Sequence, residues 1–184
     1  MKVIITGGGT GGHIYPGLAI ARSIEMEYAD AEILFVGNED GLEAEIIPRE
    51  GYDLATIPSQ GLPRKISLDI LKSLFLTGRG VWEARKLVAS FNPEIVIGTG
   101  GYVSGPVMLV AALQNRRTII HEQNAYPGLT NKLLARLVDQ VALSNLDAKD
   151  HFTNKENLTW TGNPVRPEII KANRRESYQD LDLD

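Results

Sequence analysis

The chain has no cysteine. That absence removes disulfides, Cys-ligated zinc, iron–sulfur clusters and a thiol nucleophile together. Long apolar runs are missing too. The longest, Val107–Leu113, has seven residues, where roughly 18 would be needed to span a bilayer. Met1-Lys2-Val3-Ile4-Ile5 offers too little apolar length before Thr6 and three glycines to be a signal-peptide core. Positive charge is not in excess: 19 basic against 23 acidic residues leave −4. Global attraction to nucleic acid therefore has no support, and none is expected as a partner. What remains is an ordinary globular composition, 43% hydrophobic and 23% charged over 184 residues, which can bury a core without a staple. The expectation is a soluble domain of a reducing compartment, with contact at a membrane surface left open.

Short apolar runs alternate with segments of helical spacing. Residues 2–6, 32–36, 53–57, 94–98, 118–121, 140–143 and 157–160 read as strands rich in Val, Ile and Leu. Ile14, Leu18, Ala21 and Ile24 recur at the spacing of one helix face. Apolar runs with little alternation suit strands covered on both sides, and strands separated by helices build right-handed parallel units. The pattern predicts a doubly wound, mostly parallel α/β domain over residues 1–166. The tail 167–184, ending in Asp and Leu in alternation, reads as a frayed terminus or as the start of a linker.

Two glycine loops stand out. Gly7-Gly8-Gly9-Thr10-Gly11-Gly12-His13 follows the first strand and precedes a helix with Pro16 expected in its first turn. Glycines let backbone amides approach a phosphate, and the helix adds its positive end. No Gly-Lys-Ser/Thr follows, so this is not a Walker loop. The spacing fits a dinucleotide fingerprint, but Glu25 and Glu27 are poorly placed as the ribose acid, which disfavours an NAD-dependent dehydrogenase. Gly98-Thr99-Gly100-Gly101-Tyr102-Val103-Ser104-Gly105-Pro106 repeats the strand–glycine–helix order. Both loops fall at C-terminal strand ends, the edge where open α/β sheets bind ligands, and together they suggest a diphosphate held by backbone. His121-Glu122-Gln123-Asn124 ends a later strand at the same edge. Gln123 and Asn124 can donate and accept, and Glu122 can act as a base or bind hydroxyls. His121 alone reads first as a buried histidine satisfied by backbone. Arg166, after Gly162-Asn163-Pro164-Val165, could fork onto a phosphate or be a solvated surface arginine.

In this order, these motifs with Pro16-Gly17 and Gly128-Leu129-Thr130-Asn131-Lys132 resemble the MurG family of bacterial N-acetylglucosaminyltransferases. The likeness runs over residues 1 to about 170. It implies the N-terminal, acceptor-binding half of a two-domain GT-B fold. It also implies inverting transfer of N-acetylglucosamine from UDP-GlcNAc to the 4-hydroxyl of the lipid-linked muramoyl-pentapeptide, in peptidoglycan synthesis. Under it the tail becomes the start of a linker to a C-terminal donor domain, and the chain alone is expected not to catalyse. The alternative is a non-catalytic lipid-diphosphate or nucleotide-sugar binding module that needs a partner chain.

The resemblance also implies roles. His13 or Glu122 is the base and Tyr102 positions the acceptor. Thr10, Gly11, Gly12, Asn124 and Arg166 touch the sugar nucleotide. Gly9, Gly100, Gly101 and Ser104 of the glycine loops take the lipid diphosphate. No cofactor and no metal are expected. A lipid-linked acceptor calls for an anchoring surface on the inner face of the cell membrane. Residues 60–90 carry +4 while the rest of the chain carries −8. Lys72, Leu74, Phe75, Arg79 and Trp82 are the candidates there, with Gly78 and Gly80 expected to interrupt their helix.

Overall fold

The computed structural model describes residues 1–61 and 69–171. Seven strands form one parallel sheet: β1 (Lys2–Gly7), β2 (Glu32–Gly37), β3 (Asp53–Thr56), β4 (Ile95–Gly100), β5 (Arg117–Glu122), β6 (Gln140–Leu143) and β7 (Leu158–Trp160). They lie where the apolar runs predict, with ends moved by one or two residues. The helices are α1 (Gly11–Glu27), α2 (Glu43–Arg49), α3 (Asp69–Phe91), α4 (Ser104–Leu113), α5 (Leu129–Leu134) and α6 (Pro167–Lys171). Of the expected linker, residues 172–184 lie outside the described part.

Three local details depart from expectation. A 3₁₀ turn, Leu146–His151, joins β6 to β7 in place of an α-helix. The segment buries only Ala148, and the Asn145 side chain accepts from the Asp147 amide, so nothing rewards a longer helix. Pro16 falls in the second turn of α1 rather than the first, because the helix already begins at Gly11. Finally, α3 runs unbroken through Gly78 and Gly80. Any Cβ at Gly80 would collide with the Pro58 carbonyl oxygen, so its cost in helix propensity secures a close approach of helix to loop.

Alternation along β1 shows how the sheet is covered. Val3 and Ile5 face α1 and α2, packing with Ile14, Leu18, Phe35 and Ile47. Ile4 faces the opposite way, into a cluster with Val88 of α3, Met108 of α4, Leu134 of α5 and Ile120. Both sides of the sheet are thus dry, as near-continuous apolar strands require.

Strand order is β3-β2-β1-β4-β5-β6-β7. The chain winds outward from β1 to β3, then returns to lay β4 on the other side of β1. The loops after β1 and β4 therefore diverge at the switch point, where doubly wound sheets open a crevice. The register slips there. Thr6 pairs with Gly98 but Gly7 pairs with Gly100, and the β4–β5 pairing stops at Gly98 and Ile120. Thr99 is left with no register partner on either side, which frees its carbonyl for side chains.

Ile120 is fully buried beneath this edge. Ile120→Ala is expected to lower unfolding free energy by about 2–5 kcal/mol, read by urea denaturation. A loss well under about 1 kcal/mol would show that the α4 side of the core collapses around the void.

Candidate active site

The two glycine loops meet directly. The Gly8 amide donates to the Gly100 carbonyl at 3.2 Å. Gly101, at φ +85°, lies so near Gly8 that a Cβ would overlap the Gly8 carbonyl oxygen. Only glycine combines that left-handed backbone with that approach. Thr10 takes the N-cap position of α1 in extended conformation, and its hydroxyl makes no capping bond. The first-turn amides of α1, at Gly11 and Gly12, have no acceptor within the helix, and the loop presents them at its positive end.

Gly9 is placed differently from expectation. Its amide donates to Oε2 of Glu43 at 2.9 Å, and Oε1 of the same carboxylate accepts from the Asn38 amide at 2.9 Å. Glu43 is buried and wedged against Gly8 and Gly41. The Gly9 amide is thereby held by protein. Ser104 is bonded within the fold as well. It is buried and donates from Oγ to the Gly101 carbonyl at 2.9 Å, so its hydroxyl braces the second loop from inside.

His13 stands at the seam of the loops, its ring packed on Gly100. A Cβ there would come within 2.6 Å of His13 Nδ1. Nδ1 lies 3.0 Å from the Thr99 carbonyl and 3.3 Å from Oε1 of Gln123. Both are oxygens that only accept, so the ring hydrogen sits on Nδ1 and Nε2 keeps its lone pair. That is the protonation pattern of a general base.

Glu122 is placed otherwise. Its side chain is buried. Oε1 accepts from the Asn124 amide at 2.9 Å and from Asn124 Nδ2 at 3.0 Å. Oε2 accepts from Asn131 Nδ2 at 2.8 Å and from the Gly128 amide at 3.2 Å. Four donors occupy the carboxylate, which ties the 123–128 loop to α5. Asn124 itself is exposed at the sheet edge. Tyr102 is exposed as well, its ring lying over Gly61. Arg166 lies with its guanidinium 5.1 Å from the centre of the Tyr15 ring. The latter pair borders Gly11, since a Cβ at Gly11 would meet Tyr15 at 3.3 Å.

His121 is buried, as a lone histidine reads. Its Nδ1 accepts from Gln123 Nε2 at 2.9 Å, so its hydrogen sits on Nε2, 3.0 Å from Ser144 Oγ. Burial pushes its pKa below the ordinary histidine value, outweighing the upward pull of the Gly162 carbonyl and the Glu122 carboxylate.

Of the expected site residues, the fold brings the His13, Thr10, Gly11, Gly12, Gly100 and Gly101 loops to one edge with Asn124, while Ser104 and Glu122 serve as braces. Glu43 and Tyr15 were not singled out from sequence, whereas Thr99 lay in the second glycine loop and Gln123 in the polar cluster after β5, neither with an assigned role.

On α3, Phe75, Arg79, Trp82 and Lys86 follow at helical spacing. Phe75 is 73% and Trp82 57% exposed. Arg79 donates from Nε to Glu83 at 2.8 Å, and the Lys86 ammonium lies 3.4 Å from the centre of the Trp82 ring. The side chains of Lys72 and Leu74 lie outside the described part. Among the described residues no helix is long and apolar enough to cross a membrane.

A doubly wound parallel sheet with paired glycine loops meeting at its switch point places the chain among the Rossmann-like α/β domains. The chain belongs to glycosyltransferase family 28, whose N-terminal domain model matches residues 3–143. Its likeness to the MurG family holds along the whole chain. It is 51% identical over 181 residues to the UDP-N-acetylglucosamine–N-acetylmuramyl-(pentapeptide) pyrophosphoryl-undecaprenol N-acetylglucosamine transferase of Thermoanaerobacter sp. (strain X514), covering 98% of this chain and 50% of that protein. The identically named protein of Halothermothrix orenii is 51% identical over 185 residues, covering 100% and 49%. The chain spans about half the length of the curated relatives it matches. The crystal structure of Acinetobacter baumannii MurG superposes with a TM-score of 0.73 at 25% identity, covering 92% of this chain and 47% of that one. A UDP-GlcNAc 2-epimerase from Neisseria meningitidis, at 14% identity and TM-score 0.65 over 89% and 46% of the two chains, shares the fold.

The lowered pKa of His121 makes a stability prediction. Its imidazole is neutral when folded and takes up a proton more readily when unfolded, so its contribution is present above the ordinary histidine value and is lost as pH falls below it. Unfolding free energy measured from about pH 7.5 to about pH 5.5 is expected to fall, and to fall less steeply in His121→Asn. Equal slopes in the two proteins would show that His121 does not carry the effect.

Proposed function

We propose that this chain is the acceptor-binding half of an inverting glycosyltransferase that moves N-acetylglucosamine from UDP-GlcNAc to the 4-hydroxyl of a lipid-linked muramoyl-pentapeptide. The observation that carries the reading is the imidazole of His13, with its hydrogen on Nδ1 toward Thr99 and its Nε2 lone pair unspent. The names of the relatives support this choice of substrates. A second domain completes the donor site in this reading, supplied either in the same polypeptide or by a partner chain.

In the reaction, the acceptor oxygen attacks the anomeric carbon from the face opposite the diphosphate. His13 Nε2 takes the hydroxyl proton as the new carbon–oxygen bond forms, and the bond to UDP breaks with its electron pair leaving on the phosphate oxygen. Glu122, with four donors on its carboxylate, supports the geometry rather than competing for that proton. The Gly11 and Gly12 amides and the Thr10 hydroxyl face developing negative charge at the N-terminus of α1. Gly100 and Gly101 shape the floor for the acceptor diphosphate, Tyr102 covers its sugar, and Asn124 and Arg166 reach the sugar nucleotide from the rim.

With the donor half supplied, His13→Gln is expected to lower turnover by roughly 10²- to 10⁴-fold while acceptor binding persists. Lost acceptor binding with turnover intact at saturation would move His13 to the diphosphate site.

The membrane surface enters through α3. Phe75 and Trp82 are apolar and exposed on one stripe with Lys86. Arg79 is paired with Glu83, whose charge the +4 of residues 60–90 already includes. Basic residues near an anionic leaflet each contribute about 1 kcal/mol, and the aromatics add apolar burial. The reading places the protein peripherally on the inner face of the cell membrane. Sedimentation with vesicles containing anionic lipid is expected, weaker at high salt and weaker again in Phe75→Ser/Trp82→Ser without loss of fold. Equal, negligible sedimentation with neutral and anionic vesicles at low salt would remove the anchor.

A further inference from the structure

Gln123 joins the two histidines of the site, and the transfer reaction as described leaves it unused. Its Nε2 donates to the Thr99 carbonyl at 2.8 Å and to His121 Nδ1 at 2.9 Å, with a longer contact of 3.3 Å to the His121 carbonyl. Its Oε1 lies 3.3 Å from His13 Nδ1. A carboxamide has two unlike ends, and its orientation is decided by its partners. Flipping this one would set Oε1 against the Thr99 carbonyl oxygen and the lone pair of His121 Nδ1, two contacts between acceptors. The orientation is therefore determined by Thr99 and His121.

We propose that Gln123 is a positioning residue that sets the tautomer of His13. Held by Thr99 and His121, it can show His13 Nδ1 only an oxygen, and the ring hydrogen stays on Nδ1. Were the amide turned round, an N–H would face Nδ1 and compete with the Thr99 carbonyl, which alone would then favour hydrogen there. The preference of the neutral ring for hydrogen on Nδ1 would fall, and with it the share of rings whose Nε2 lone pair can take the acceptor proton.

The lock depends on His121 being neutral with Nδ1 free to accept. Several groups keep it so. Ser144 Oγ lies 3.0 Å from His121 Nε2 and donates onward to Asn163 Oδ1 at 3.4 Å, and the Gly162 carbonyl lies 3.4 Å from the same ring nitrogen. Neighbouring Glu122 is turned away onto Asn124, Gly128 and Asn131. The chain of bonds thus runs from the first glycine loop, through the strand ends of β4 and β5, to the segment after β7. The slip of register that strips Thr99 of its strand partner makes it possible, since the Thr99 carbonyl receives both His13 and Gln123.

The consequence for catalysis rests on the reading of His13 as the base, but the tautomers themselves do not. Long-range proton–nitrogen spectra of the 184-residue chain, which has three histidines, report each tautomer without any substrate. At a pH above the imidazole titrations, His13 is expected with hydrogen on Nδ1 and His121 with hydrogen on Nε2. In Gln123→Leu, the His13 preference for Nδ1 is expected to fall about three- to tenfold, the size of one net hydrogen bond. In Gln123→Glu, which can accept but not donate, His121 is expected to transfer its hydrogen to Nδ1 while His13 keeps its own. Should the leucine variant fail to fold, the His121 exchange in the glutamate variant decides. Nitrogen shifts of both histidines unchanged in the folded variants, or His13 found with hydrogen on Nε2 in the unmodified chain, would overturn the proposal. Unchanged tautomers together with lost turnover in His13→Gln would keep His13 as the base and free it from Gln123.

Discussion

The contact between Gly8 and Gly101 is where two crossovers of the chain are brought within backbone distance, and the rest of the site is arranged around it. A parallel sheet that reverses its winding after β3 must set β4 beside β1, and the loops leaving them would ordinarily splay apart. Here the Gly8 amide donates to Gly100, and Gly101 holds a left-handed backbone against the Gly8 carbonyl. A side chain at Gly101 would separate the loops. His13 would then lose the Gly100 surface on which it lies and the Thr99 carbonyl to which it donates. The positive end of α1 would no longer face the crevice with the β4 loop.

Two buried carboxylates support that contact from behind. Glu43 accepts from Gly9 and Asn38, and Glu122 accepts from Asn124, Gly128 and Asn131. A carboxylate offers up to four lone-pair positions and can satisfy amides of a loop that follows no regular ladder. Each of those amides left without a partner in a closed loop would cost about 1–3 kcal/mol, and the same bonds offset the cost of burying the charge that they surround. The edge of the sheet therefore has acids that organise the loops and an imidazole that is left with a free nitrogen. Residue type alone does not distinguish these duties, because a carboxylate that braces and one that abstracts a proton are the same group in different company.

How much of this was legible depended on range. Strands and helices were readable because their apolar periods are local, and the glycine loops were readable because strand, glycine and helix follow one another within about a dozen residues. The family motifs singled out His13 and Glu122 as rival bases without choosing between them. Gly9 and Ser104 were legible as loop residues, but not their partners, since Glu43 lies 34 residues from Gly9. The α3 stripe was visible as basic and apolar. Its sorting into buried Ser73, Ala84 and Val88 and exposed Phe75 and Trp82, and the pairing of Arg79 with Glu83, needed the packed helix.

The sequence by itself determined the doubly wound class, the two glycine loops at one edge and the family, with His13 and Glu122 both standing as candidates for the base. Those follow from periodicity, glycine spacing and ordered motifs, which are properties of neighbours along the chain. Only the tertiary structure decided which acid is a brace, which histidine hydrogen sits on which nitrogen, and which carbonyl joins His13 to Gln123. The bonds that join His13, Thr99 and Gln123 link partners 24 to 110 residues apart, brought together by a one-residue slip between β1 and β4. A hydrogen bond is specified by where its two atoms finally lie, and that is settled only when the strands have taken their register.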